Sequence, residues 1–461
     1  MKKINSKIKR FWGISEVGFS FMSTAETAFF MIFLTDVARL PLAMSAAIAS
    51  VSGIADAVTA MLAGVIIDKV NFKSGKYRPW LIYCPPVVVV FFVLMFTKIG
   101  GDTTAALICG SGYIISHGVW NICWTANRTL VGVLTDDAEE RAFLSARISS
   151  GSSTGKIIAS YLVPVLSVFF LGLFSSSNNE VVGYTMTVLV AALTFFICYI
   201  IHFTITKGYD EPLTEEEKSI AVSSANRISF GDMVRGVASN PQLILVLIYD
   251  FLKLIAYYTI VASIAYYAKV VLGSPNSMSF ILVVFNIATL IGTLLSQKTV
   301  KKLGSKNTNF VGMIGFIVCH GICYILPTST FTFLALLGLG QVFFGIAYGN
   351  TTSLYSTCGT YSEYKTGKNT KGIIMSFCSL AIKISIAVRG VVITSVLAFI
   401  NYSPDLAITA STQNGIKTLF FLVPIAFLVA SLIPLIWFKI KDSDIEIMER
   451  EIAQRAKNIN L

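Results

Sequence analysis

Long apolar segments alternate with short polar loops along the whole chain. A run of about 20 apolar residues is long enough to cross the hydrocarbon layer of a bilayer as a helix. Basic residues precede the first apolar segment but no small-residue cleavage site follows it, so we interpret it as a spanning helix and not as a signal peptide. The pattern therefore predicts twelve membrane-spanning helices, with expected bounds of 12–38, 43–67, 79–99, 105–134, 148–174, 183–206, 242–271, 278–300, 307–327, 330–357, 372–400 and 417–438.

Basic residues give these spans a direction. Most lysines and arginines outside the spans lie in the loops on the same side as the two termini, so the positive-inside rule predicts that both termini are cytoplasmic. The longest polar interval, 207–241, predicts a cytoplasmic linker between an N-terminal half at 1–206 and a C-terminal half at 242–438, and 439–461 is a cytoplasmic tail. The expected fold class is an all-α polytopic protein of the cell membrane, with two six-helix halves.

The composition excludes a water-soluble globular protein of this length. Of 461 residues, 54% are hydrophobic and only 13% are charged, and the mean hydropathy is +0.72. The net charge of +11 comes from basic clusters between apolar segments, which is typical of membrane topology rather than of nucleic-acid binding. The eight cysteines lie mostly in apolar segments, so we expect no disulfide, metal site or cofactor. The three histidines form no catalytic constellation with serine or aspartate, which disfavours an enzyme.

Two charges lie at mid-membrane depth. Asp56 is the only ionisable side chain between Ala43 and Ile67, and it lies roughly 17 Å from the charged end of its span. Lys383 lies at a similar depth, roughly 17 Å into the eleventh span. Because an intramembrane charge is costly and usually functional, we expect these residues to form an ion pair.

Three loops and one lysine carry a family resemblance. The turn at 75–80, GKYRPW, resembles the Gly-Lys-x-Lys/Arg-Pro-Trp turn of the glycoside–pentoside–hexuronide:cation symporters. The segment 137–141 resembles the family's Asp-x-x-Glu-Arg, and Arg147 falls close to its arginine on helix 5. The segment 361–368 resembles the run Tyr-Gly-Glu-x-Lys-Thr-Gly, and Lys383 matches the family's buried lysine on helix 11.

The resemblance implies a major facilitator fold and cation-coupled symport of a sugar or glycoside by alternating access, with the solute bound between the halves at mid-membrane depth. It assigns the gating and cytoplasmic-loop positions to Asp68, Lys76, Arg78, Asp137, Arg141 and Glu363. The acidic sugar ligands of helices 1 and 4 fall by register on Ser20 and Trp124, neither of which is acidic. Our candidates for substrate binding are Ser20, Asn121, Trp124 and Arg147.

The coupling ion depends on the neighbours of Asp56. Members of the family with a sodium site carry asparagine three residues and aspartate four residues after this aspartate, where this chain has Thr59 and Ala60. We assign cation coupling to Asp56, Thr59 and Lys383, and we favour H⁺ because a single carboxylate suffices for a proton. A sodium cage completed by Thr59, a backbone carbonyl or another acidic group stays open.

Other charged residues in the spans have plainer interpretations. We expect Arg128 to extend toward the cytoplasmic interface, and Asp250 and Lys253, three residues apart, to neutralise one another. Glu26 lines the outer vestibule or supports a helix contact, and Lys156 has no assigned partner. Because the acidic sugar ligands are missing, a lysolipid or another amphiphile is the alternative solute. A non-transporting membrane sensor is less favoured, since Asp56 and Lys383 are both present.

Overall fold

The protein is described here by a computed structural model that covers residues 4–70, 72–135, 137–174, 180–210, 240–274, 276–326, 329–367 and 371–459. Helices account for nearly all of the ordered backbone in these ranges. The first seven are α1 Ser6–Phe11, α2 Ile14–Ile32, α3 Leu42–Lys69, α4 Trp80–Leu94, α5 Asp102–Leu134, α6 Ala138–Leu173 and α7 Glu180–Ile205. The others are α8 Pro241–Tyr266, α9 Ser277–Leu303, α10 Ser305–Ile325, α11 Thr330–Thr366, α12 Lys371–Phe399, α13 Ala410–Lys417, α14 Val423–Trp437 and α15 Asp442–Ile459.

In the described ranges, three π-helical turns continue or join the helices. Phe33–Val37 continues α2, Tyr267–Val271 continues α8, and Thr418–Leu422 joins α13 to α14. A π turn adds one residue to the helical ring and reorients the side chains that follow it. The first two turns therefore reorient the side chains at the ends of α2 and α8.

Each predicted span falls on a helix of the structure, although α6 begins at Ala138 rather than at 148 and α11 continues to Thr366 rather than ending at 357. In the described part of the chain, ten helical segments are long and apolar enough to cross a membrane. The predicted third span is the apolar helix α4, which has only 15 residues. The fourth is α5, whose 33 residues include several polar side chains and whose apolar character is accordingly weaker. The expected class, an all-α polytopic membrane protein, is confirmed.

The chain divides into two compact units that do not coincide with the predicted halves. The first comprises Met1–Arg227, Val261–Val283 and Gly390–Gln413, and the second comprises Ile228–Ile260, Val284–Arg389 and Asn414–Leu461. The ends of α8 and α12 thus group with α1–α7. Division at 1–206 and 242–438 stays a prediction, and most of the expected linker at 207–241 lies outside the described residues.

Small residues allow close helix packing in the first unit. A side chain on Gly151 of α6 would place its Cβ 2.1 Å from the carbonyl oxygen of Gly13. One on Gly155 would place its Cβ 2.5 Å from the carbonyl oxygen of Val17 in α2. Only glycine permits these distances, as in other membrane helix pairs with small residues at the contact. The two glycines therefore bring the polar positions of α2 and α6 together.

Candidate functional site

The Asp56 carboxylate forms a compact polar site between α3 and α5. Asp56 is only 2% exposed. The Nδ2 of Asn121 donates to Asp56 Oδ1 at 2.8 Å and to Thr59 Oγ1 at 3.2 Å. The Thr59 hydroxyl in turn donates to the backbone carbonyl of Asp56 at 3.1 Å. Carboxylate, hydroxyl and amide oxygens are the ligand types that hard cations prefer.

The structure therefore places Thr59 beside Asp56, as the sequence analysis suggested. It also places Asn121 there, a residue that the sequence analysis assigned to substrate binding. Trp124, the position of the family's acidic sugar ligand on helix 4, is one turn further along α5 than Asn121, which meets Asp56. One polar partner of Asp56 is thus the uncharged amide of Asn121.

Lys383 lies in α12, in the second compact unit, whereas Asp56 lies in the first. Its pairing with Asp56 stays a prediction. In the same unit, Lys253 pairs with Asp250 at 2.7 Å, with both side chains at most 1% exposed. The Tyr355 hydroxyl donates to Asp250 at 3.0 Å. The mutual neutralisation expected for Asp250 and Lys253 is therefore confirmed.

The other substrate candidates surround a charged cluster that the sequence did not predict. The Ser20 and Ser152 hydroxyls are 2.9 Å apart between α2 and α6. The Arg128 guanidinium lies 4.1 Å from the Trp124 ring centroid and pairs with Glu16 at 3.4 Å. Glu16 is thus a partner that the sequence analysis did not foresee, and extension of Arg128 toward the cytoplasmic interface stays a prediction.

Arg147 lies apart from these residues. Its side chain is exposed on α6, with the guanidinium 5.2 Å from the Phe143 ring centroid. Within the described ranges it makes no hydrogen bond or ion pair with Ser20, Asn121 or Trp124. Its assignment to substrate binding stays a prediction.

The loop after α3 contains two of the predicted gating residues, Lys76 and Arg78, and a third, Asp68, lies at the end of α3. Lys76 pairs with Asp68 at 2.6 Å, and its side chain is 7% exposed. Burial alone would lower the pKa of Lys76, but the Asp68 hydrogen bond and the charges of Asp68 and Tyr77 raise it above its ordinary value, so Lys76 stays charged. Arg78 donates from Nε to the Phe203 carbonyl at 2.8 Å and lies 3.7 Å from that ring's centroid.

An unpredicted carboxylate fixes this loop. Asp210, just after α7, accepts hydrogen bonds from the backbone N–H groups of Tyr77 at 2.8 Å and Arg78 at 2.7 Å. Gly75 has a φ of +128°, and a Cβ there would lie 2.5 Å from Asp210 Oδ2. Both its backbone conformation and the carboxylate therefore require glycine at this position of the motif.

The loop after α5 is also tied by short-range contacts. Asp137 caps α6 by accepting from the N–H groups of Glu139 at 2.7 Å and Glu140 at 3.1 Å. Arg141 donates from Nε to the Thr135 carbonyl at 2.8 Å. These contacts show Asp137 and Arg141 in structural positions, and their gating role stays a prediction.

Glu363 lies in the last turn of α11. Its carbonyl accepts from the N–H of Gly367 at 2.8 Å, and Gly367 ends the helix with a φ of +69°. The motif glycine is therefore a helix terminator. A gating role for the Glu363 carboxylate stays a prediction.

A second polar cluster surrounds Asp36 in the π turn of α2. Asp36 is buried, accepts a hydrogen bond from the Tyr402 hydroxyl at 2.7 Å and pairs with Lys269 at 2.5 Å. The neighbouring Thr35 hydroxyl lies 2.6 Å from the Tyr266 hydroxyl. The sequence analysis assigned no role to Thr35 or Asp36. An acidic residue at the end of an apolar span was the available signal.

Comparison with known proteins places this arrangement in a family. A family model described as MFS/sugar transport protein matches residues 11–442. The uncharacterized symporter YjmB of Bacillus subtilis (strain 168) is 26% identical, with 99% of this chain and 97% of that protein covered. A putative sulfoquinovose importer of Escherichia coli (strain K12) is 26% identical, with 98% and 95% covered.

A solved structure agrees on the fold. A bacterial homologue of the human lysosomal transporter Spinster, in an inward-facing and unoccupied conformation, superposes with a TM-score of 0.68 at 13% identity, covering 93% of this chain and 96% of that one. The family match spans nearly the whole chain and confirms the resemblance to the glycoside–pentoside–hexuronide:cation symporters. The protein is a multi-pass membrane transporter and not an enzyme. This chain belongs to the MFS/sugar transport protein family.

Proposed function

We propose that the protein is a secondary active transporter that couples uptake of a sugar to a cation by alternating access. The observation that carries this proposal is the buried site of Asp56, Thr59 and Asn121, because a carboxylate inside a spanning helix is costly to bury and usually marks an ion or substrate pathway. The family match and the relatives named as a symporter and a sulfoquinovose importer support sugar symport. They favour a sugar over the lysolipid alternative.

A proton is the coupling ion that the site favours. Asn121 presents its amide N–H₂ to Asp56 Oδ1, so this neighbour contributes a donor rather than a second negative charge. A proton neutralises a single carboxylate without further ligands, whereas Na⁺ needs several oxygen atoms to replace its hydration shell. The family resemblance assigns Lys383 to the same coupling step.

We place the protein in the cell membrane with both termini cytoplasmic, as the basic loops indicate. The loops that hold Asp68, Lys76 and Arg78, and Asp137 and Arg141, then lie on the cytoplasmic side. The Asp36 cluster lies on the outer side. Rearrangement of the loop contacts would accompany opening toward the cytoplasm.

Uptake into proteoliposomes tests the function. Radiolabelled sulfoquinovose, glucuronic acid and glucose are supplied to vesicles that carry either an inward H⁺ gradient or an inward Na⁺ gradient at fixed pH. We expect at least one sugar to accumulate with the H⁺ gradient and to be lost when a protonophore is added. Accumulation that requires Na⁺ and tolerates the protonophore would contradict proton coupling, and accumulation of no sugar under either gradient would contradict sugar symport.

A further inference from the structure

The ion pair of Asp250 and Lys253 lies deep in a spanning helix of the second compact unit. Asp250 is the tenth residue of α8 and lies roughly 14 Å from the start of that helix. The Asp250 side chain is 1% exposed and the Lys253 side chain is fully buried, so the structure shields both charges from water. Well-packed apolar side chains often stabilise a protein at least as well as a buried ion pair does. Charged residues at this depth of a membrane protein usually belong to an ion or proton pathway.

Helix α11 gives each member of the pair a second, uncharged partner. Lys253 Nζ donates to the Thr351 hydroxyl at 2.5 Å. The Tyr355 hydroxyl donates to Asp250 Oδ2 at 3.0 Å. Thr351 and Tyr355 are four residues apart and therefore lie on the same face of α11. Neither charge thus depends on the other for all of its contacts.

Two aromatic rings provide further contacts for Lys253. Its Nζ lies 5.1 Å from the ring centroid of Tyr249 and 5.8 Å from that of Tyr348, within the range of cation–π contacts. Tyr348 is exposed, as are Thr352 and Ser356, and the spacing of four residues places all three on one face of α11. A helix face with three hydroxyl groups at membrane depth suits water better than lipid, so this face brings water close to the pair.

The hydrogen bonds accommodate both protonation states of Asp250. In the charged state, Oδ2 accepts from Tyr355 and Oδ1 lies 2.7 Å from Lys253 Nζ. A proton on Oδ2 turns this atom into a donor, and the Tyr355 hydroxyl then accepts, because a hydroxyl group can do either. Oδ1 is buried, receives no well-aligned hydrogen bond in the part of the chain that the structure describes, and still faces Lys253 as a carbonyl oxygen. Protonation therefore requires the rotation of one hydroxyl and no movement of heavy atoms.

The other titratable groups beside the pair carry no charge near neutral pH. Among the described residues they are the phenols of Tyr249, Tyr348 and Tyr355 and the thiol of Cys378 in α12. Phenols and thiols ordinarily lose their protons above pH 7. From α10, the partner of Tyr249 is the amide of Asn309, which does not titrate. Asp250 is therefore the group in this cluster that is suited to exchange a proton.

We propose that Asp250 is a second proton-binding site of the transport cycle, with Lys253 and Tyr355 as its positioning residues. The proposal rests on the proposed proton-coupled uptake of a sugar and adds a second proton to each sugar. A proton from water on the outer side forms an O–H bond at Oδ2, and it returns to water on the cytoplasmic side after the change of access. Both Asp56 and Asp250 release their protons before the empty protein returns, so neutralisation of either carboxylate prevents concentrative uptake.

Infrared difference spectroscopy tests proton binding without transport. The spectrum of the purified full-length protein at low pH, minus that at high pH, contains a C=O stretching band for each carboxyl group that becomes protonated. We expect Asp250→Asn to lack one such band of the wild type. Tyr355→Phe should move the midpoint of this band to higher pH, because the charged carboxylate loses a donor. Tyr249→Phe is the matched control, since the hydroxyl that it removes bonds to Asn309 and not to Asp250.

The sugar gradient that stops net uptake counts the coupled protons. Proteoliposomes are preloaded with increasing concentrations of radiolabelled glucose or sulfoquinovose, and the membrane potential is held at zero. With an inward H⁺ gradient of about one pH unit, each coupled proton raises the ratio of inner to outer sugar at zero net flux about tenfold. We therefore expect a ratio of about 100 for the wild type, the value for two protons.

Neutral variants assign the second proton to Asp250. Asp250→Asn is expected to lose concentrative uptake and to retain exchange of labelled for unlabelled sugar, because exchange does not require the proton to leave. Thermal unfolding monitors folding. The double variant Asp250→Asn/Lys253→Met removes both charges and replaces Asp250→Asn if the single variant fails to fold.

The outcomes separate this inference from the proposed function. Wild-type flux that stops at a ratio of about ten overturns the second site and leaves proton-coupled sugar uptake standing. An infrared spectrum that Asp250→Asn leaves unchanged also overturns it. Equal loss of uptake and exchange in a folded variant shows a structural role and overturns it as well. An acid band that depends on Asp250, in a wild type that takes up no sugar, supports the proton site and contradicts the proposed transport.

Discussion

Replacing Asn121 with aspartate would add a second carboxylate to the Asp56 site. The substituted group would replace the amide nitrogen that now lies 2.8 Å from Asp56 Oδ1 and 3.2 Å from Thr59 Oγ1. The two carboxylates and the hydroxyl would then provide an anionic oxygen cluster. Such a cluster is better suited to a dehydrated Na⁺ than the present site is.

The size of the effect follows from the geometry. Two unit negative charges about 4 Å apart repel by about 4 kcal/mol at an effective dielectric constant of ~20. The Asn121→Asp variant is therefore expected to be less stable than the wild type when both groups are charged. A Na⁺ ion between them removes this repulsion. Sodium at about 100 times its dissociation constant would add about 2.7 kcal/mol to the free energy of unfolding.

Thermal unfolding in NaCl and in choline chloride, at equal ionic strength and pH, measures this effect. We expect Na⁺ to stabilise Asn121→Asp selectively and to leave the wild type unchanged. Asn127→Asp is the matched control, because Asn127 is also buried on α5 but bonds to Ser15 and not to Asp56. Stabilisation by Na⁺ that is equal in the wild type and in Asn121→Asp would refute the reasoning, as would an equal response of Asn127→Asp.

Three further substitutions test other parts of the structure. Asp36→Asn removes the charge that pairs with Lys269 and should lower the melting temperature. The decrease should be larger at low than at high ionic strength, because salt screens the pair in the wild type. Asp210→Ala removes two backbone hydrogen bonds from the loop after α3 and should increase proteolytic cleavage in that loop, an increase that Asp210→Asn partly avoids. Lys253→Met leaves Asp250 buried without its ion-pair partner and should lower the free energy of unfolding by about 3–5 kcal/mol. The double variant Lys253→Met/Asp250→Leu should recover most of that loss. Effects of the two substitutions that simply add would argue against the pairing.

The spans were predictable because the bilayer imposes a length on each apolar helix. Asp56 was predictable for a related reason, since a charge in an apolar run is visible without knowledge of its neighbours. The pairing of Asn121 with Asp56 shows where such reasoning stops, because the sequence analysis assigned Asn121 to the substrate. Which side chain of α5 meets Asp56 depends on how α3 and α5 pack, and the sequence of neither helix states that packing.

The Glu16 and Asp36 clusters depend on contacts between helices that are distant in sequence. Glu16 meets Arg128 across more than a hundred residues, and Lys269 reaches Asp36 from α8. Their spacing in the sequence carries no information about these distances. The glycines at 151 and 155 show the same limit, because their role at the contact between α2 and α6 becomes apparent only once these helices are paired.

The central claim is that the Asp56 site couples a cation to sugar movement, and Asp56→Asn tests it most directly. In proteoliposomes, concentrative uptake driven by a H⁺ gradient is compared with exchange of labelled for unlabelled sugar at equal concentrations on both sides. The account predicts that Asp56→Asn loses concentrative uptake and retains exchange, because the sugar still binds while the ion site is lost. Concentrative uptake by Asp56→Asn at the level of the wild type would contradict the account.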